Sequence, residues 1–247
     1  MDFKISLAGV TVEIHSLYGE VYELCRDYLT EGEAVFGVEI SQADIDFERD
    51  KSVREARMER RPIQYFPPSY LETLAVYRKI AVKMLAHNAF LMHGSAVAVG
   101  NEAFLFTAPS GTGKTTHTRL WLKNVPGAFI VNGDKPLIRV ENDGCFVCGT
   151  PWAGKEGWNT NTSVPLSAIC ILRRGAENRI EPLPFSEACH LFFEQIYRPS
   201  NREDMIHTME LMNKLPQTVR LYRLSCNMEP DAATVSYNGM RRLQGSK

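Results

Sequence analysis

Residues 104–116 read FLFTAPSGTGKTT: an apolar run, a glycine-bearing loop and the start of a helix. Such a loop suits one kind of chemistry. Gly111 and Gly113 let the backbone turn successive N–H groups inward onto phosphate oxygens, and a helix N-terminus adds partial positive charge behind them. Lys114 then reaches the β- and γ-phosphates, and the Thr115 hydroxyl can join a Mg²⁺ shell. Pro109, Ser110, Gly111, Thr112, Gly113, Lys114, Thr115 and Thr116 are therefore the expected cradle for the phosphates of a nucleotide. The pattern departs from G-x-x-x-x-G-K-[ST] once, with Ala108 for the first glycine, which is tolerable where φ is negative.

A phosphate cradle needs an acid directed at the metal. The next apolar segment, AFIVNGDKPLI (128–138), leads into Asp134. An acid at the carboxyl end of a strand beside the loop-bearing strand reads as a metal ligand or a base. A turn-forming Asp beside Gly133 is the plainer alternative. His93 ends FLMHG, where it can meet phosphate or metal or serve only the fold. GTPWAGKEGWNTN (149–161) is a loop by its Gly, Pro and Asn content. Within it Lys155 can neutralise phosphate charge, and Trp152 and Trp158 can pack on a ligand or simply be buried. Arg173 and Arg174 close AICILRR (168–174), either as a phosphate clamp or as solvated strand-end charges. Arg198 and Arg202 flank Pro199 and read as cations at a helix C-terminus.

Elements must position these groups. FKISL and VTVEIH alternate about Ala8-Gly9 as a hairpin, EVYELCRDYL (20–29) has helical spacing, and AVFGVEI (34–40) is a further strand. ERDKSVREARMERR (48–61) reads as a solvated face or connector, or as a docking surface for an acidic partner. Pro62, Pro67 and Pro68 then mark a boundary. Ser69 with Glu72 forms a capping-box pattern before a long apolar-striped helix. Strands are expected at 89–92, 95–99, 103–107, 128–131, 136–141, 145–148, 168–174 and 219–224, with turns at Gly100-Asn101 and Asn142-Asp143-Gly144. Helices are expected at 114–123, 184–197, 201–214 and from about Pro230.

The 247 residues carry 28 Lys plus Arg against 29 Asp plus Glu, a net charge of −1, with 44% hydrophobic residues. That balance excludes a mainly disordered chain and argues against a nucleic-acid binder. The longest apolar stretches fall far short of the ~20 residues that span a bilayer, so no membrane role is expected. The start has no basic segment before an apolar run, so it does not read as a signal peptide. The six cysteines read as free buried thiols in a reducing cytoplasm. Cys145 and Cys148 lie on a strand, on opposite faces, with no second pair at zinc-like spacing.

In this order, HGSAV, a hairpin, SGTGKTT and a strand ending Gly-Asp, the chain resembles the HPr kinase/phosphorylase and phosphoenolpyruvate carboxykinase superfamily. NGDKP (132–136), GTPWAGK (149–155) and VPLSAI (164–169) resemble more closely still the small stand-alone HPr-kinase-like proteins of bacteria. The resemblance spans about residues 70–240. It implies an α/β fold with a mixed-sheet P-loop core over 67–247 and a small N-terminal α+β cap over 1–66. It also implies a Mg²⁺-dependent kinase using ATP or another nucleoside triphosphate and acting on a hydroxyl, a serine of a small protein or peptide, with a small-molecule acceptor as the alternative. Lys114, Thr115 and Asp134 carry over as phosphate and metal groups, and His93 as a group near the transferred phosphate. Homo-oligomers are common in the family. One departure matters: Gly133 stands where the family has the first of two adjacent acids. Asp134 then acts alone, His93 or Glu156 substitutes, or the protein is a nucleotide-binding sensor or scaffold without transfer. Full phosphoenolpyruvate carboxykinase is about twice this length, and the arginine-rich motifs upstream are not evident. The C-terminal motif tied to dephosphorylation in HPr kinase/phosphorylase has no match in 219–247.

Overall fold

The computed structural model describes residues 1–241. These divide into two compact units, the first being Met1–Met84. The boundary expected at residue 66 falls before a helix that the structure groups with this first unit.

In the first unit β1 (Asp2–Leu7) and β2 (Val10–His15) form the expected hairpin. Its turn holds Ala8 at φ 51° and Gly9 at φ 79°, the left-handed region a tight two-residue turn demands. β3 (Phe36–Glu39) lies parallel to β2. Val10, Val12 and Ile14 alternate inward along β2 as a half-buried strand requires. α1 (Glu20–Leu24) is shorter than its spacing predicts and gives way to a 3₁₀ turn at Arg26–Tyr28.

Two expectations in this unit are corrected. The charged segment 48–61 is mostly helix, part of α2 (Gln42–Met58). Its scattered charge hides a narrow inward stripe of Ile45, Glu48 and Ala56, and Arg78 donates to Glu48 at 2.6 Å. α3 (Pro68–Lys83) starts with Pro68 in its first turn and Pro67 as N-cap, so Ser69 is not the cap. Glu72, fully buried, instead accepts the Leu17 N–H at 2.5 Å and the Tyr18 N–H at 2.9 Å.

The second unit carries a mixed sheet. Its strands are β4 (Ala89–Leu91), β5 (Ser95–Val99), β6 (Glu102–Thr107), β7 (Ala128–Asn132), β8 (Leu137–Val140), β9 (Cys145–Cys148), β10 (Ser163–Arg174), β11 (Arg179–Pro182) and β12 (Arg220–Cys226). The order is β4-β8-β9-β10-β6-β5-β7, with β12 also on β10 and β11 on β12. β10 runs antiparallel to β9 at its start and parallel to β6 and β12 beyond. It absorbs VPLSAI and is longer than expected, and β11 was not foreseen.

Helices cover both faces: α4 (Lys114–Asn124), α5 (Phe185–Gln195), α6 (Arg202–Lys214) and α7 (Asp231–Met240). Along β6, Ala103 and Leu105 join one core with Phe192 of α5 and Leu211 of α6. Phe104 and Phe106 join the other with Trp121 of α4 and Ala233 of α7. Arg202 opens α6 behind the Asn201 cap, so it is not a C-terminal cation. Among the described residues no helix is long and apolar enough to cross a membrane. Residues 242–247 of the expected 67–247 region lie outside the described residues.

The Glu72 carboxylate holds two buried backbone donors, so Glu72→Leu leaves both unpaired. It is expected to lower stability by about 3 kcal/mol in urea unfolding, and Glu72→Gln by less. Equal losses for the two variants would contradict this role.

Candidate functional site

The strand register alone gathers the expected residues. β5 lies antiparallel to both β6 and β7, with Ser95 opposite Phe106 and Ala96 opposite Asn132. Chain leaving β6, chain entering β5 and chain leaving β7 therefore meet at one sheet edge. β10 adds its own C-terminal end there, with Ile171 opposite Thr107. The loop 108–113, His93, Asp134 and Arg174 are thus neighbours because of pairing, before any side-chain contact is considered.

The loop has the conformation that its glycines allow. Gly111 sits at φ 77° and Gly113 at φ 122°, where a side chain would be strained. Ala108 is not at positive φ, which accounts for alanine in place of the first glycine. Pro109, Ser110 and Gly111 are exposed, Thr112 and Gly113 half-buried. The Thr112 hydroxyl donates to the Pro109 carbonyl at 2.8 Å. Arg174 Nη2 donates to the Gly111 carbonyl at 2.5 Å and Nε to that of Thr112 at 3.4 Å. Arg174 thus braces the loop backbone, a role that neither expected reading contained.

Lys114 is buried in the first turn of α4, and its ammonium donates to the Ala108 carbonyl at 2.8 Å. Burial pushes its pKa down, partly offset by the Asp134 charge. Thr115 and Thr116 follow, both half-buried.

Asp134 is fixed by its backbone. The fully buried Asn132 accepts the Asp134 N–H at 2.9 Å and the Lys135 N–H at 2.7 Å. Its amide donates to the Thr150 carbonyl at 2.9 Å. The Asp134 carbonyl accepts the Gly94 N–H at 2.8 Å. A side chain at Gly94 would stand 2.9 Å from Leu105 Cδ1 and from the Phe106 carbonyl, so this approach requires glycine. Burial raises the Asp134 carboxyl, but the His93 hydrogen bond and the Lys135, His93 and Lys114 charges outweigh it and hold the group below its usual range.

His93 Nε2 stands 3.3 Å from Asp134 Oδ1. Gln195, at the end of α5, contacts His93 Nδ1 through Oε1 at 3.0 Å and accepts the His93 N–H on its carbonyl at 2.6 Å. The structure thus brings His93, Lys114 and Asp134 together. Lys155 is exposed and makes no hydrogen bond or ion pair among the described residues. Sequence reasoning missed Asn132 and Gln195; the Gln195 partner lies 102 residues away, whereas an Asn just before Gly-Asp is a residue type that caps a local turn and was the available signal.

The loop 149–161 lies against Asp134, and a side chain at Gly154 would meet Asp134 Cβ at 3.1 Å. The Gly133 N–H donates to the Trp158 carbonyl at 2.7 Å. A Cβ at Gly133 would stand 3.1 Å from the Ala153 carbonyl oxygen and 3.3 Å from that of Trp158. Any side chain there would start crowded by two backbone oxygens. Glu156 is paired to Arg119 at 2.7 Å, and that guanidinium lies 5.5 Å from the Trp158 ring centre. Trp152 is buried.

Beside the loop opens a cavity of about 520 Å³ whose lining includes Thr116, His117, Leu172, Arg174, Cys226 and Met228. Burial pushes the His117 imidazole down to about 4.

The fold and this edge define a mixed α/β protein with a glycine-bearing loop of phosphate-binding pattern on its sheet. Residues 69–231 match the family described as SynChlorMet cassette protein ScmC, and the chain belongs to that family. No curated protein matches the chain. Among solved structures it is similar to the Hpr(Ser) kinase/phosphatase from Coxiella burnetii, with a TM-score of 0.35 and 10% sequence identity. That likeness covers 60% of this chain and 95% of the other.

The depressed His117 pKa has a testable sign. Between the ordinary value of 6.5 and about 4, the unfolded chain binds a proton that the folded chain refuses. This contribution is complete above pH 6.5 and is lost as pH falls toward 4, on the order of 3 kcal/mol in all. His117→Gln is expected to flatten that part of the stability profile in urea unfolding at pH 7.5 and 4.5. An unchanged profile would contradict the assignment.

Proposed function

We propose that the chain is a kinase. It binds ATP on the Pro109–Thr116 loop with Mg²⁺ and moves the γ-phosphoryl group to a hydroxyl, a serine of a small protein or peptide. One observation carries the reading: Lys114, Asp134 and His93 converge with the glycine loop at one sheet edge. The acceptor class rests on the sequence resemblance.

The chemistry follows from placement. The acceptor oxygen attacks the γ-phosphorus while the bond to the β,γ-bridging oxygen breaks and ADP leaves with that electron pair. The hydroxyl proton passes to the Asp134 carboxylate, with His93 Nε2 beside it to share the charge. The Lys114 ammonium neutralises charge on the β- and γ-phosphates. Mg²⁺ favours a few hard oxygen ligands together with phosphates, and the Thr115 hydroxyl and the Asp134 carboxylate fit that donor set. When bound, it would offset phosphate charge and align the leaving group.

A second reading, a nucleotide-binding sensor without transfer, is favoured by the crowding at Gly133, which leaves a single acid where the resembling family has two.

Label transfer from γ-labelled ATP into a cell extract separates these readings, with Lys114→Ala as control and a Mg-ATP thermal shift in parallel. The kinase reading expects Lys114-dependent label in a protein band. Label in a metabolite would give the small-molecule acceptor. A Lys114-dependent thermal shift without transfer would establish the sensor. A shift unchanged by Lys114→Ala would overturn both.

A further inference from the structure

The sheet of the first unit runs β1-β2-β3, so β3 is an edge strand, with no strand on its outer side among the described residues. Its register shows which backbone groups face outward. The Ile40 N–H donates to the His15 carbonyl at 3.0 Å, and β3 runs parallel to β2 with Val38 opposite Ile14. Backbone groups alternate sides along a strand. Phe36 and Val38 therefore bond to β2, while Gly37 and Glu39 turn N–H and C=O to the open edge. The side chains agree with that assignment. Lys83 of α3 donates to the Gly37 carbonyl at 2.6 Å, and Lys79 donates to the Glu39 carbonyl at 2.7 Å. One helical turn separates the two lysines and two strand residues separate the two carbonyls, spacings of about 6 and 6.6 Å, so helix and strand match in step. The outward N–H groups of Gly37 and Glu39 have no partner among the described residues.

Beside this edge lies an open groove of about 830 Å³, whose lining includes Gly37, Val38 and Glu39 of β3 and Lys79, Val82 and Lys83 of α3. Lysine at a sheet edge is a common guard against chance strand pairing. A guard alone, however, needs neither a groove nor a pair of bare N–H groups along it. Charge sets what fits there. Arg78 is held by Glu48 at 2.6 Å and Asp44 at 3.1 Å, and Lys79 shares Asp44 at 2.7 Å. Lys83 has no acidic partner among the described residues; its ammonium meets the Gly37 carbonyl and stands 5.6 Å from the Phe36 ring centre. A strand laid on β3 would take both carbonyls with its own N–H groups. Both ammoniums would then be released and would favour carboxylates.

We propose that this groove receives an extended acidic peptide segment of a partner, which adds to β3 as a fourth strand. The peptide N–H groups replace Lys83 and Lys79 at the Gly37 and Glu39 carbonyls. The peptide carbonyls accept the two outward N–H groups, and its Asp or Glu side chains pair with the released lysines. Main-chain bonds supply affinity, and the spacing of the acids selects the segment. The inference concerns the first unit alone and stands independently of the phosphate-loop reading.

Fluorescence anisotropy on the full chain tests this with three labelled synthetic peptides. One alternates Glu with Thr, one alternates Lys with Thr, and one is the acidic peptide with every second Thr replaced by Pro. The first is expected to bind, and the other two about tenfold more weakly or not at all, because one has the wrong charge and the other lacks strand N–H groups. Gly37→Pro removes one outward N–H and leaves the β2 side of the strand paired, so it should weaken the acidic peptide about tenfold. Gly37→Ala, whose Cβ would stand 3.8 Å from its nearest neighbour, should bind as the wild type does. Lys83→Glu should weaken the acidic peptide and strengthen the basic one. Amide hydrogen exchange needs no variant: the bound acidic peptide should slow Gly37 and Glu39 and leave Val38 unchanged. No binding of the acidic peptide, equal binding of its proline-interrupted form, or protection away from Gly37 and Glu39 would overturn the proposal. A dimer of the chain that Gly37→Pro dissolves would also overturn it, because the edge would then belong to a second copy.

Discussion

The site depends on the pairing of β5 between β6 and β7. With Ser95 fixed opposite Phe106 and Ala96 opposite Asn132, three chain ends are forced to one place. The glycine loop leaves β6, His93 enters β5, and Asp134 leaves β7. A register slip of one residue would turn Phe104 and Phe106 out of one core and Leu105 out of the other, so burial on both faces locks the register. The convergence of these residues is a by-product of core packing. One tight point is Gly94, just before β5, between the Asp134 carbonyl and the backbone of β6.

Charge is arranged around that edge with little spare room. Lys114 and Asp134 are both taken partly out of water, which disfavours each charged form, and each compensates the other. His93 adds a polarisable partner to the acid, and Gln195 orients it from the opposite helix layer. Asn132 supplies no charge, yet it fixes the turn from which Asp134 projects and ties it to the 149–161 loop through Thr150. Asp134 and His93 are thus each held by a neutral amide, Asn132 and Gln195, while Lys114 donates to the Ala108 carbonyl.

What could be read in the residues was what chemistry encodes locally. The strand, glycine loop and helix start of 104–116 are contiguous, and each has its own sequence signal. The Ala8-Gly9 hairpin is legible for the same reason. Gln195 was not, because its His93 partner lies 102 residues away; Asn132 caps the nearby Asp134 and Lys135 N–H groups, but its anchor on Thr150 lies 18 residues on. The charges of α2 masked a helix whose buried stripe is only a few residues wide. Glu72 looked like a capping acid, but a proline took the helix start and freed the carboxylate to hold another segment's backbone. The buried knot of His117, Trp121, Ser236 and Ala233 is assembled from two helices, a relation that no spacing in the chain announces.

The central claim is that Gly111–Thr116 and Asp134 together hold a metal-bound triphosphate. The most direct measurement is a crystal structure grown with Mn²⁺ and a non-hydrolysable ATP analogue, with the metal located by its anomalous signal. The account predicts phosphate density in the loop, Lys114 turned from the Ala108 carbonyl toward it, and a manganese peak bonded to Thr115 Oγ1 and an Asp134 oxygen. Nucleotide bound elsewhere, or a metal peak remote from Asp134, would contradict it.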